Sequence, residues 1–210
     1  MRHPTLLALA SLAIAAATIP ARGNVVTVSP HALQLRDDVV PPINLKSRKL
    51  SFAVQSTNDG AGHRVIFPAI GTAGDPTLYG GRAIIYNATG TGEQVVVDLP
   101  AAGWHHEGHN FPPDDLGRWV FTGLIGGHLL PIEKVYIKRD KITIRGGNTP
   151  WTYTLDEPSQ GAVAVQLTLG TWDTWCSVAV PRHPAANYDR PGRFIAQTNT
   201  PPADTCPPTP

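Results

Sequence analysis

Six side chains able to bind a metal or move a proton crowd the window Ala101 to Asp115, AAGWHHEGHNFPPDD: His105, His106, His109, Glu107, Asp114 and Asp115. Imidazoles with a carboxylate are the donor set of a zinc hydrolase, in which an open coordination position activates a water. The zinc-protease pattern H-E-x-x-H needs histidines four apart on one helical face, with the glutamate between them as base. Here His106, Glu107 and His109 give H-E-x-H, one residue short. His105 and His109 have the right separation, but Gly103 and Gly108 flank them and FPP follows, so a helix would be poor. In an extended chain His105, Glu107 and His109 share a face at about 7 Å per step, and the outer two, about 13 Å apart, cannot meet on one zinc without a turn. A metal site would therefore need a ligand from elsewhere, with His128, Asp114 and Asp115 as the available donors. The residues favour the competing reading, a solvated connection between strands.

Other candidates are weaker. The glycine-rich GTAGDPTLYGG, Gly71 to Gly81, lacks the G-K-[ST] end of a phosphate loop and is read as opening no helix, with Asp75-Pro76 as turn chemistry. Calcium at Asp59 or Asp75 lacks the D-x-[DN]-x-[DN]-G spacing. Trp151 and Tyr153, two apart in WTYT, would share a strand face and could stack on sugar rings; the opposing reading places them in the core, where large aromatics dominate sandwich interiors. There is no G-x-S-x-G elbow. The acidic pairs Asp37-Asp38, Asp114-Asp115 and Asp156-Glu157 are adjacent, and neighbours on a strand point to opposite faces, so none is a ready acid and base pair. Asn87-Ala88-Thr89 matches the glycosylation sequon.

The elements that must hold these residues are strands. From Lys49 onward, short runs rich in β-branched and aromatic residues alternate with Gly, Pro, Asn and Asp. The runs are KLSFAVQ, HRVIFP, RAIIYNA, EQVVVDL, RWVFTG, KVYIKRD, KITIRG, WTYTL, AVAVQLTLG and TWCSVAV. Around Arg139-Asp140, Val135 and Ile137 alternate with Tyr136 and Lys138, and Ile142 and Ile144 with Lys141, Thr143 and Arg145, which predicts a hairpin with one apolar and one wet face. With 20 glycines and 21 prolines, almost no helix is expected outside the leader. The pattern predicts an all-β antiparallel β-sandwich, Ig-like or jelly-roll-like, with a closed barrel as runner-up.

The N-terminal MRHPTLLALASLAIAAATIPARG has a basic start, an apolar run too short for a membrane span, and small residues before Arg22, so residues 1–21 read as a secretory signal peptide. The layout continues with an N-terminal arm or linker over 22–48, a β-sandwich domain over 49–180, and an irregular Pro-rich C-terminal arm over 181–210. Without Arg2 the mature chain is near neutral and has no basic run longer than KSRK, which argues against nucleic acid as a partner. Cys176 and Cys206 lie outside any metal-ligand spacing and are expected to form a disulfide in an oxidising compartment, tying down the arm.

The phrases AGDPT, YNATGTGE, LPAAGW, ITIRGG, YTLDEPSQG, VQLTLG, WC and a late CPP together resemble a recurring secreted β-rich module of bacterial proteins without an assigned activity, over about Leu35 to Cys206. The resemblance implies export and a shared fold, and lends no catalytic residues; HHEGH is not part of it. The expectation is a secreted or periplasmic, non-enzymatic sandwich with a structural, surface or binding role, no cofactor, no integral membrane segment after signal cleavage, and a glycan or cell-surface partner. Its rivals are a carbohydrate-binding module using Trp151 and Tyr153, and a metal-dependent hydrolase using His105, Glu107, His109 and His128, with zinc or calcium as the candidate ions.

Overall fold

Alternation decides the architecture strand by strand. In β3 (Lys49–Gln55) Leu50, Phe52 and Val54 are buried while Lys49, Ser51 and Gln55 are exposed, the signature of a strand with one face on a core. The same logic builds an eight-stranded sheet from β3 with β2 (Pro30–Arg36), β6 (Trp104–Glu107), β7 (Arg118–Ile125), β8 (His128–Lys138), β9 (Lys141–Gly147), β12 (Asp189–Arg190) and β13 (Arg193–Ile195). Its order is β12-β13-β2-β3-β9-β8-β7-β6, antiparallel throughout. A five-stranded sheet joins β1 (Val25–Thr27), β4 (Gly81–Asn87), β5 (Gln94–Leu99), β10 (Val163–Leu169) and β11 (Thr174–Ala179) in the order β1-β11-β10-β4-β5, with only β1-β11 parallel. The inner faces pack into one core, with Phe52, Trp119, Phe121, Ile137 and Ile144 from the large sheet and Ile85, Val97, Leu167 and Trp175 from the small one. The protein is an all-β sandwich, as the strand pattern predicts. This structure is a computed structural model that describes residues 23–37, 48–56, 63–66, 68–89, 91–108, 117–147 and 151–210. The leader, Asp38, Asp59, His109, Asp114 and Asp115 lie outside the described residues.

Among the described residues two α-helices occur, each of one turn: α1 (Pro76–Tyr79) and α2 (Ala185–Tyr188). The first corrects the reading of GTAGDPTLYGG as opening no helix. Asp75 caps it, accepting from Thr77 N at 2.9 Å, Thr77 Oγ1 at 2.6 Å and Gly71 N at 2.7 Å, with Pro76 preset for the first turn. Burial works to raise the Asp75 carboxyl, but these bonds outweigh it and hold the group below its usual range.

Eight of the ten predicted runs lie in strands; HRVIFP and WTYTL do not. The supposed linker after the leader contains β1, which edges the small sheet, and β2, which lies inside the large one. Leu33 and Leu35 of β2 point inward and Gln34 and Arg36 outward, so its short alternation is a real strand despite Pro30. The C-terminal region likewise supplies β12 and β13 before it becomes an irregular strap.

That strap runs from the large sheet round to the outside of the small one. Ser29 Oγ donates to Thr200 O, and His31 Nδ1 lies 2.7 Å from Asn199 Oδ1. Cys206 is bridged to Cys176 on β11, as expected. Beyond the bridge, Tyr86 Oη donates to Pro207 O at 2.6 Å and Gln94 Nε2 to Pro210 O at 3.4 Å. Tyr86, Ala164 and Cys176, on the outward side of the small sheet by register, are consequently buried.

Candidate binding surface on the large sheet

The histidine stretch does not gather a ligand set among the described residues. Strand β6 places His105 and Glu107 outward on one face, and sends His106 inward against Trp119, ring centroids 4.8 Å apart. His105 Nε2 sits 3.0 Å from Glu107 Oε1, and Arg118 Nε donates to Glu107 Oε2 at 2.7 Å. Both Glu107 oxygens are thus engaged, and the bonds from Arg118 and His105 hold its carboxyl below the usual range. His128 pairs with Ile125, whereas His105 pairs with Val120, so His128 lies roughly 15 Å farther along the sheet. His109 falls outside the described residues.

Trp151 and Tyr153 are buried, at 1% and 0% exposure, as the core reading expects, which removes the rival sugar-stacking platform. They lie in extended but unpaired chain, with Leu155 continuing the inward alternation. Arg48 holds this segment, donating from Nη1 to Trp151 O at 2.7 Å and from Nε to the buried Asp37 at 2.9 Å.

Beside Tyr153 is a carboxylate cluster that adjacency in sequence hides. Glu93, Asp156 and Glu157 each bring an oxygen within 4.8 Å of the others. Burial, with the negative charge of Glu157 adding to it, pushes the Glu93 carboxyl up to about 7, against a bond from Thr154 Oγ1 at 2.8 Å. Burial works to raise Glu157 too, but bonds from its own backbone N–H, Gln160, Thr91 and Glu93 outweigh it and lower it. The opposite shifts mean that, as pH falls, Glu93 takes up a proton before Glu157 does. Burial, with Glu93, Glu157 and Asp189 nearby, raises the Tyr153 phenol, which donates to Gln160 Oε1 at 2.7 Å. Asn87 Nδ2 donates to the same oxygen at 3.0 Å, and Asp189 accepts from Ser159 Oγ, Gln160 N and Gly161 N at 2.6–2.8 Å. This network clamps the turn before β10. Asn87 is 1% exposed and its Oδ1 accepts from Thr89 N and Oγ1, so the sequon is a structural turn.

The large sheet's solvent face carries the most unusual charge arrangement. Its register sets cations directly against cations on neighbouring strands: Arg190 with Arg193, Arg193 with Arg36, Arg36 with Lys49, Lys134 with Arg145, Lys138 with Lys141, and Lys138 with Arg118. Residues so placed have Cβ atoms about 4.5–5.5 Å apart, and like charges there destabilise a sheet. Among the described residues Arg36, Lys49, Lys134, Lys138, Lys141 and Arg145 form no ion pair; Arg118 is tied to Glu107. Tyr136 sits among them, its ring centroid 5.5 Å from the Arg118 guanidinium carbon and 5.8 Å from Lys134 Nζ. At one end Arg36, Arg48, Lys49 and Arg145 line a concavity of about 640 Å³, with Glu133 also in its wall. Chemically this is a preformed anion-attracting surface, with guanidinium forks for bidentate contacts and ammonium groups as point charges.

No known protein family, curated protein or solved structure matches the chain. The Cys176–Cys206 bridge is characteristic of an oxidising compartment, and no helix among the described residues is long and apolar enough to cross a membrane.

Proposed function

We propose that the chain is exported and works as a non-enzymatic β-sandwich that binds an anionic partner through the solvent face of its large sheet. The leader pattern and the disulfide support export. The observation that carries the binding reading is the run of cross-strand cation pairs. Edge protection does not account for it, because β2, β3, β9 and β8 are central strands. Solubility is equally served by mixed signs, which a near-neutral chain has in supply. A face that gives up stability to like-charge repulsion is accounted for when a polyanion neutralises it.

The test is salt-dependent binding to soluble dextran sulfate. Wild type binds at low salt and is released as salt rises, because each neutralised site liberates counterions. The triple variant Lys138→Gln, Lys141→Gln, Arg145→Gln binds more weakly with a shallower salt slope, whereas Arg82→Gln on the other sheet behaves as wild type. Equal behaviour of the two variants would remove the assignment.

A further inference from the structure

The turn joining β7 to β8 adds a second kind of chemistry to the basic face. Leu124 and Leu129 are directly opposed across it and are 61% and 43% exposed, while Ile125 and Leu130 beside them pack against the core. Isolated exposed leucines need no explanation, but here two form a cross-strand pair at a projecting tip. Gly126 and Gly127 close that tip with φ of 58° and 84°, a two-residue turn that any side chain with a Cβ would strain. The tip lies at the same end of the sheet as the Lys134–Arg145 and Arg36–Lys49 pairs and the basic concavity, because β9 reaches that end at Gly146, opposite Ile132.

We propose that the anionic partner is the surface of a lipid bilayer carrying anionic headgroups: Leu124 and Leu129 enter the interfacial zone, and the adjoining cations meet the headgroups. This rests on the binding-surface reading above and adds the partner to it. A soluble polyanion would engage the cations but leave the leucine pair in water. A bilayer satisfies both, and a weak apolar anchor joined to a polybasic patch is the two-signal combination that gives stable peripheral attachment. Charge complementarity selects the anionic leaflet and the leucine pair selects lipid over glycan or nucleic acid.

The experiment is co-sedimentation of the mature protein with phosphatidylcholine vesicles, with and without phosphatidylglycerol, alongside dextran sulfate binding. Wild type pellets with the mixed vesicles and stays in solution with the neutral ones. The double variant Leu124→Ser, Leu129→Ser loses roughly tenfold in vesicle affinity, the order expected for withdrawing two partly inserted leucines. It keeps wild-type affinity for dextran sulfate, which also shows that it is folded. The variant Lys49→Gln, Lys134→Gln, Arg145→Gln, which removes cations at the tip's end of the sheet, loses both. Vesicle binding unchanged in the leucine variant overturns the membrane assignment. So does a wild type that binds dextran sulfate but ignores vesicles, which leaves the binding face standing with a soluble polyanion as its partner. A wild type that dimerises through the leucine pair, becoming monomeric in the variant without lipid, also overturns it. Failure to bind either probe removes the binding face itself.

Discussion

On the outside of the small sheet Arg82 faces Asp98 across neighbouring strands with 2.8 Å between charged atoms, whereas on the outside of the large sheet Arg36 faces Lys49 and Lys134 faces Arg145. The first arrangement is what a sheet adopts when only its own stability is at stake. The small sheet is also covered: the C-terminal strap crosses it, is bridged to it, and buries the outward-pointing Tyr86. The large sheet has no such cover among the described residues and carries repulsion in its place. One outer face is thus finished within the molecule, and the other is the face we propose a partner completes. The one clustered trio of carboxylates among the described residues lies on the small-sheet side, at Glu93 beside β5 and at Asp156 and Glu157 close to it.

Cutting the strap should produce the largest effect. A Cys176→Ala, Cys206→Ala variant is expected to lose about 3–4 kcal/mol of stability, the chain-entropy value for a 30-residue separation, in denaturant unfolding followed by fluorescence. Limited proteolysis should cut the freed tail early, while dextran sulfate binding by the folded protein stays at the wild-type level. Loss of binding in step with the strap would show that the two faces are not independent.

Next comes a pH effect confined to the acidic side. Glu93 has a folded pKa of about 7 against an ordinary 4.5, so the folded state holds a proton the unfolded chain releases. Stability should therefore fall as pH rises from about 4.5 to about 7 and level off above that. Glu157 is shifted the opposite way, so its contribution is present at higher pH and lost as pH falls through its folded value. In Glu93→Gln the decline between about 4.5 and 7 should flatten. A slope that persists would place the pH dependence elsewhere.

Tyr86→Phe is expected to cost about 1 kcal/mol, since it deletes the donor to Pro207 O and the acceptor for Gln166 Nε2 while keeping the ring. Equilibrium unfolding reads this directly. A neutral result would mean that the disulfide alone fixes the strap to the small sheet.

How much of this was readable before the fold is instructive at particular residues. Alternation in KVYIKRD and KITIRG gave the hairpin and its wet face, so Lys138, Lys141 and Arg145 were already on one side. Their opposition to Lys134 and Arg118, and that of Arg36 to Lys49 and Arg193, depends on which strands are neighbours, which no single strand encodes. WTYTL and HRVIFP carry the composition of strands, and at Val65, Trp151, Tyr153 and Leu155 that composition reports burial, although Ile66 is exposed; pairing is a separate matter. Conversely, β2 is hidden by Pro30 at its start and by the DDVVPP that follows it in sequence. Adjacent Asp156 and Glu157 look useless as a chemical pair, and their partner Glu93 comes from more than sixty residues earlier. The leucine tip, LIGGHLL, had a visible glycine turn, but only the fold separates the outward Leu124 and Leu129 from the packed Ile125 and Leu130.

The smallest expected effect is the sharpest test of the contrast, because it separates stability from binding by sign. Lys141 faces Lys138 in the strand pair beside the β8–β9 turn. Lys141→Glu converts that like-charge pair into an opposite-charge one, as the small sheet already has in Arg82 and Asp98. Cross-strand pairs of this kind contribute roughly 0.2–1 kcal/mol, so the variant should unfold at slightly higher denaturant than wild type. The same change removes one cation and adds an anion at the β8–β9 end of the basic face, so affinity for dextran sulfate should fall and the salt slope should become shallower. A sheet selected for its own stability would have this glutamate already. A variant that gains stability and keeps full binding would mean that the repulsion at this position serves no partner, whereas one that gains stability while losing binding would tie the two together at a single residue.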